Sequence, residues 1–336
     1  MLNWSALHFA AENGHTAVVR YLLANGAIWN AVDVNGFTAG DVAWSANWTQ
    51  CYAALLEEGV RQGLLGALLE KKAGGEESDE EEDDDGEEAG EVVNDNEGFL
   101  KSPLRFVNDP NDPRRARCMD QDDNMVMAGW ETEIMRRSAE RLCEGLPKRR
   151  VVLNVGYGLG IIDDFLQSHS PALHVIIEPH PDVVKYLRTS HPELASAPGV
   201  VIIEKTWEAA LEDPQLWELA PEGFDAIYAD PFAQDYKDLK VFFDRLPDLL
   251  RGGDGTEPLS QRARFGFFHG LAATNRFLYD VYTRLVELDL RDIGLETEWE
   301  AVKVDMDDAE EVWEGVRRKY WTLDEYRLPT CRMGVI

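Results

Sequence analysis

From about residue 98 onward, the apolar positions fall into two alternating kinds of segment. Strand-like segments are predicted at Val151 to Val155, His174 to Glu178, Val200 to Glu204, Phe224 to Ala229, Arg264 to His269 and Leu295 to Val304, with a last one near Arg327 to Met333. Helix-like stretches lie between them: Glu131 to Glu144, Ile161 to Ser168, Pro181 to Ser190, Asp235 to Leu250 and Asn275 to Leu290. Alternation of this kind predicts an α/β fold, a doubly wound and mostly parallel sheet with helices on both faces. Ligands of such sheets sit at the carboxyl ends of the strands, where the winding reverses.

The first seventy residues read differently. Ser5-Ala6-Leu7-His8-Phe9-Ala10-Ala11-Glu12-Asn13-Gly14-His15 is followed by the apolar stretch Ala17 to Leu23, then by Asn25-Gly26-Ala27. A degenerate second copy begins at Gly36-Phe37-Thr38 and runs through Asp41-Val42-Ala43. The period of about 33 residues resembles ankyrin repeats, whose helix pairs bury their apolar faces only by stacking on a neighbour. His8 and His15 are then hydrogen-bonding turn residues. Two repeats are marginal on their own, so the helical stretch from Ala53 to Leu69 is expected to cap them. The reading is a small ankyrin-like domain over 1–72, either docking another protein or persisting as a structural remnant. The run of acids from Gly74 to Glu88 has almost no apolar area and repels itself, so 73–97 is expected to be a disordered linker.

Charge narrows the partners. The 336 residues carry a formal net charge of −30, which disfavours direct nucleic-acid binding and favours a basic protein substrate. Hydrophobic residues make up 44%, enough for a large core, yet none of the apolar runs approaches eighteen residues, so no membrane association is expected. Cys51, Cys118, Cys143 and Cys331 are scattered without a CxxC pair, which fits a reducing compartment. The seven histidines show no ligand spacing, so no metal site is expected.

The candidate chemistry clusters at the strand ends. The first strand of the sheet runs into Gly156-Tyr157-Gly158-Leu159-Gly160, and the second ends at Glu178. This unit lets a nucleoside lie on bare backbone while the carboxylate grips the ribose hydroxyls. The spacing is G-x-G-x-G, which favours S-adenosylmethionine over a dinucleotide. Gly160 and Ile161 open a helix whose amides favour the cofactor carboxylate. Glu178 also reads as a carboxylate stabilising the helix that starts at Pro181. Lys205-Thr206-Trp207 follows the third strand, where adenine needs a polar edge and an apolar face; Trp207 also reads as a plain core residue. Asp230 ends the fourth strand in Ile227-Tyr228-Ala229-Asp230-Pro231-Phe232, facing the transferring methyl or capping a helix. Upstream, Met127 and Met135 are soft apolar side chains suited to a sulfonium, and Glu131 between them is either a second buried carboxylate or an exposed one on an amphipathic helix.

Taken together, these residues resemble the fungal-type protein arginine methyltransferases that carry N-terminal ankyrin repeats. The second half is also similar to guanidinoacetate methyltransferase. The resemblance rests on Val126-Met127-x-x-Trp130-Glu131-Thr132 with Met135, Gly156 to Ile161, Ile177-Glu178-Pro179-His180, Lys205-Thr206-Trp207, Phe224-Asp225-x-Ile227-Tyr228-x-Asp230 and Tyr320-Trp321. It implies a class I S-adenosylmethionine-dependent methyltransferase fold of seven strands over 98–336. The implied reaction is methyl transfer to the δ-nitrogen of arginine in a large-subunit ribosomal protein, in the cytoplasm and nucleus. By motif, Met127, Met135, Gly156, Tyr157, Gly158, Leu159, Gly160, Ile161, Glu178, Pro179, His180, Thr206, Trp207 and Asp230 would contact S-adenosylmethionine. Phe106 matches an upstream aromatic contact loosely. Glu131 and Asp230 would hold the substrate. Two departures stand out: Asn154 replaces the acid that many methyltransferases place before the first glycine, and the two-glutamate substrate loop common among arginine methyltransferases is not visible. Rival readings are a base methyltransferase, since Asp230-Pro231-Phe232 approaches D-P-P-Y, a small-molecule guanidino methyltransferase, and an inert ankyrin adaptor.

Overall fold

A computed structural model of the chain describes residues 3–73, 96–108, 112–231, 236–253, 258–305 and 310–334. The acidic stretch expected to serve as a linker lies, over 74–95, outside the described residues. The chain divides into two compact units. One comprises Met1–Val93 with Leu271–Leu288 and Trp321–Leu323; the other comprises Asn94–Gly270, Asp289–Tyr320 and Asp324–Ile336.

The first unit begins with helices α1 (Ala6–Glu12) and α2 (Thr16–Ala24), then α3 (Ala39–Ser45) and α4 (Thr49–Ala73). These are two helix pairs of the expected repeat. The stretch foreseen as a separate cap is the continuation of α4, the second helix of the second pair. His8 is hydrogen-bonded and buried as expected, but it lies in the first turn of α1 rather than in a connecting turn: Nδ1 accepts from the Ser5 amide at 3.2 Å and Nε2 pairs with the Phe37 carbonyl oxygen at 3.0 Å. His15 occupies the N-cap position of α2 without a side-chain bond. Thr38 and Asp41 form a reciprocal cap at the start of α3, with distances of 2.8 and 3.2 Å.

The same unit takes in part of the helix Arg276–Asp292, from far along the chain. Phe277, Val281 and Leu285 recur every four residues and so share one face. Each meets a glycine in a helix of the repeats. A Cβ at Gly40 would overlap the Phe277 ring; at Gly59 it would stand 2.9 Å from Val281 and at Gly63 2.7 Å from Leu285. Polar contacts fix the register. Asp41 accepts from the Phe277 amide at 3.1 Å and from Asn275 Nδ2 at 2.8 Å, and Tyr52 donates its hydroxyl to Asp280. Trp321, fully buried, packs edge-on to Tyr279 at 5.7 Å between ring centroids.

The second unit holds two sheets. The smaller is antiparallel, with β1 (Arg105–Val107), β2 (Arg117–Met119) and β3 (Met125–Ala128) in that order. The larger has seven strands: β4 (Val151–Val155), β5 (Leu173–Ile177), β6 (Val200–Ile203), β7 (Ala226–Ala229), β8 (Arg264–Phe267), β9 (Leu295–Lys303) and β10 (Glu325–Met333). Their order is β6-β5-β4-β7-β8-β10-β9, all parallel except β10, which runs antiparallel to both neighbours. The winding reverses between β4 and β7. Ile203, Ile177, Val155, Ala229 and Phe267 lie in register across five neighbouring strands. The residues that follow them therefore form one rim, and Gly156, Glu178 and Asp230 all stand on it.

Candidate active site at the carboxyl rim of the sheet

The glycine turn is shaped by what presses on it. Gly156 has φ +89 and Gly158 φ +55, backbone that side-chain-bearing residues rarely adopt. A Cβ on Gly156 would strike the carbonyl of Asp230, and one on Gly158 would strike Sδ of Met127. Met127, on β3, also accepts from the Leu159 amide at 3.2 Å, so the small sheet braces the turn from above. Below it, Asn154 Nδ2 donates to the Gly156 carbonyl at 2.9 Å and to both oxygens of Asp163 at 2.9 Å. Asp163 sits in the first turn of α7 (Ile161–Ser168) and lies 3.1 Å from His174 Nε2. The acid missing before the first glycine is thus supplied nine positions later, by a buried side chain that sequence motifs did not single out.

Three carboxyls converge on this rim. Glu178 is buried and accepts from the amides of Tyr157 and His180, each at 2.8 Å. Burial still raises it to about 7, against those hydrogen bonds. Glu131 lies at the end of the 3-10 turn Gly129–Glu131, just before α6 (Thr132–Cys143), and is 2% exposed. Burial, and next the charge of Asp230, push it up to about 8. Asp230 is half-buried, open on the side of the cleft, and loss of water raises it to about 7. Among the described residues neither Glu131 nor Asp230 has an ion-pair partner. Tyr320 donates its hydroxyl to Glu131, and Tyr228 donates to Met135 Sδ at 3.2 Å beneath them.

The cleft over this rim is lined by Met127, Met135, Gly156, Tyr157, Gly158, Glu178, Pro179, His180, Thr206, Trp207 and Asp230. The structure thus gathers most of the residues singled out from the sequence. It leaves others out. Leu159, Gly160 and Ile161 are not part of the lining; Leu159 is buried in the apolar cluster beneath it, and Ile161 packs against that cluster. Phe106, on β1, stacks flat on Tyr186 at 4.1 Å and is not part of the lining. Glu131 stands behind the lining rather than in it. Phe99, Leu100, Val126 and Glu208 line the cleft without having been foreseen. Phe99 and Leu100 belong to α5 (Asn96–Lys101), a segment too short to show a periodic pattern. It is strapped down by His180, whose Nε2–H donates to the carbonyls of Phe99 and Ser102 at 3.2 and 3.0 Å. Thr206 caps a short helix by accepting from the Ala209 amide at 3.3 Å. Trp207 is buried, and its Nε1–H has no acceptor among the described residues.

A turn that excludes any Cβ, a carboxyl at the end of the adjacent strand and an orphaned indole N–H fit a nucleoside-bearing ligand better than a metal or a phosphate. With a seven-stranded sheet whose penultimate position holds the single antiparallel strand, they define a class I S-adenosylmethionine-dependent methyltransferase. Residues 2–64 match the family model described as “Ankyrin repeats (3 copies)”. The chain is 38% identical over 353 residues to protein arginine N-methyltransferase 2 of Cryptococcus neoformans var. neoformans serotype D, covering 100% of this chain and 87% of that one. It is 39% identical over 350 residues to the protein of that name in Aspergillus fumigatus, covering 94% and 76%. The chain belongs to the protein arginine N-methyltransferase 2 family. Among solved structures, a spermidine synthase from Thermotoga maritima is similar over 70% of each chain, with a TM-score of 0.46 and 12% identity.

Proposed function

We propose that the protein transfers a methyl group from S-adenosylmethionine to the δ-nitrogen of an arginine in a basic protein, a large-subunit ribosomal protein being the substrate the family resemblance implies. The observation that carries the acceptor is the pair Glu131 and Asp230: Asp230 on the rim and Glu131 behind it within reach of its charge, both raised by burial, with no ion-pair partner among the described residues. A guanidinium supplies the missing charge. Its pKa lies above 12, so it arrives protonated and its nitrogens are poor nucleophiles. Two carboxylates orient it and draw its positive charge away from the attacking nitrogen. Transfer releases one proton from that nitrogen, and Asp230, raised to about 7, is the group to take it.

Bound S-adenosylmethionine would supply the electrophilic methyl on its sulfonium. Glu178 accepts from the amides of Tyr157, His180 and Gly158 and still retains lone-pair capacity for a ribose hydroxyl. Trp207 Nε1–H is a donor in want of an acceptor beside the cleft. Met127 and Met135 give a soft wall near Asp230. The δ assignment is supported by where the acids come from. Glu131 precedes a helix and Asp230 follows β7, so the pair does not bracket a single loop as in the common arginine-methyltransferase signature.

The test is to incubate the protein with labelled methyl donor and separated large-subunit ribosomal proteins. Label in one protein band, with fragmentation that places the methyl on the δ-nitrogen, is the expected result. Label on a terminal nitrogen would correct the acceptor atom. Label confined to small guanidino compounds would overturn the protein substrate. A ribosomal substrate would place the enzyme in the cytoplasm and nucleus. The acidic charge of −30 supports a basic partner of this kind.

A further inference from the structure

Glu131 is gripped on one oxygen. Tyr320 donates its hydroxyl to Oε1, and the Ala128 amide reaches the same atom at 3.4 Å. The hydroxyl is itself aimed. Trp130 Nε1–H donates to the Tyr320 oxygen at 3.0 Å, which occupies a lone pair and directs the phenolic proton to Glu131. Trp313, buried, packs edge-on to Tyr320 with ring centroids 5.1 Å apart and tilts against Trp130 at 6.3 Å. Tyr320 therefore has its ring fixed by one indole and its hydroxyl fixed by another. Both donors to Glu131 end on Oε1, which leaves Oε2 for a ligand.

We propose that Tyr320 is the positioning residue of the acceptor site, turning Glu131 so that Oε2 meets the guanidinium while Oε1 is withheld from it. This rests on the reading that Glu131 receives the substrate cation. Tyr320 touches the reaction only through Glu131, and it lies 189 positions further along the chain. In the sequence it stands only as half of Tyr320-Trp321.

The assignment has an electrostatic consequence. Three groups face Glu131: Asp230 after β7, Tyr228 within β7, and Tyr320. Burial and Asp230 raise the Glu131 carboxyl; the Tyr320 and Ala128 hydrogen bonds oppose them. Tyr320 itself is held well above its ordinary range by burial and by Glu131, so it stays a donor at any working pH. Removing the hydroxyl raises Glu131 further, and the carboxylate then forms only at higher pH.

The experiment compares Tyr320→Phe with wild type in the full chain. Methyl transfer to an arginine-containing basic peptide is followed between about pH 6 and about pH 10. The expected result is an acid limb of kcat/KM displaced upward by about one pH unit, a roughly tenfold loss near neutrality that recovers on the alkaline side. Donor affinity, read by calorimetry, should stay within about twofold, since no donor contact is lost. A loss equal at every pH, or an unmoved limb, overturns the proposal. Trp130→Phe keeps a ring but frees the hydroxyl, and should shift the limb the same way by less. A second readout needs no turnover: the carboxyl carbon of Glu131, labelled with carbon-13 and assigned with Glu131→Gln, should titrate at higher pH in Tyr320→Phe. If wild type methylates no arginine at any pH, the acceptor reading fails on its own. An unmoved Glu131 titration overturns the role of Tyr320 whatever the substrate proves to be.

Discussion

At the scale of single residues, the acids carry the most testable content. Glu131→Gln keeps the shape of the side chain and removes its charge, and should lower kcat/KM for arginine substrate by about 100-fold or more. The same change should stabilise the ligand-free protein at alkaline pH. The carboxyl titrates near its ordinary 4.5 when unfolded and at about 8 when folded, so its contribution is fully present below 4.5 and is lost as pH rises to about 8. Glutamine does not titrate, so the variant's advantage over wild type in urea unfolding should open across that window and then level off. In wild type, kcat/KM should rise through about pH 7 to 8 as Asp230 and Glu131 ionise while the guanidinium stays charged. A flat profile there would remove the pair from substrate binding. Glu131, Glu178 and Asp230 were legible in the sequence because each sits where an apolar run breaks. Phe99 and the role of Tyr320 were not, because their partners lie far along the chain: Phe99 is held by His180 and Tyr320 reaches Glu131. Asp163 is only nine positions from Asn154, but the glycine turn between them decides that the two meet.

At the scale of elements, the rim was readable and its roof was not. The strands β4 to β8 declared themselves by short apolar runs and β9 by its alternation of apolar and polar positions, and Ile161–Ser168 and Pro181–Ser190 fall where helices were expected. The small sheet β1-β2-β3 escaped because its strands are three or four residues long and β1 is mostly exposed, so no alternation could build up. Yet that sheet carries Met127, which closes over Gly158. The glycine turn is thus clamped from two elements. Gly158→Ala would force φ +55 on an alanine and drive its Cβ into Met127. S-adenosylmethionine affinity should fall at least about tenfold by calorimetry, and the melting temperature by a few degrees, since a strained turn costs on the order of 1–2 kcal/mol. Truncating Met127 to alanine in the same variant should recover part of the loss if contact rather than backbone strain dominates.

At the scale of the whole molecule, the composition said two parts and a charge, and the contacts redraw the first of these. The repeat-bearing unit is built from both ends of the chain, since it includes Leu271–Leu288. Leu285→Ala would open a cavity beside Gly63, where no side chain can fill it, and should cost about 2–5 kcal/mol. That loss should appear as a lowered first transition in calorimetry, with donor binding intact. The net charge of −30 should act on the encounter with a basic substrate, raising KM steeply with added salt while the turnover of bound substrate changes little.

The pairing of Gly40, Gly59 and Gly63 with Phe277, Val281 and Leu285 also bears on biosynthesis. The helices made first have to wait for a partner encoded more than two hundred codons later. At a few to twenty residues per second, that interval is on the order of ten to forty seconds. During it the apolar seam of the nascent repeats stays uncovered and open to water.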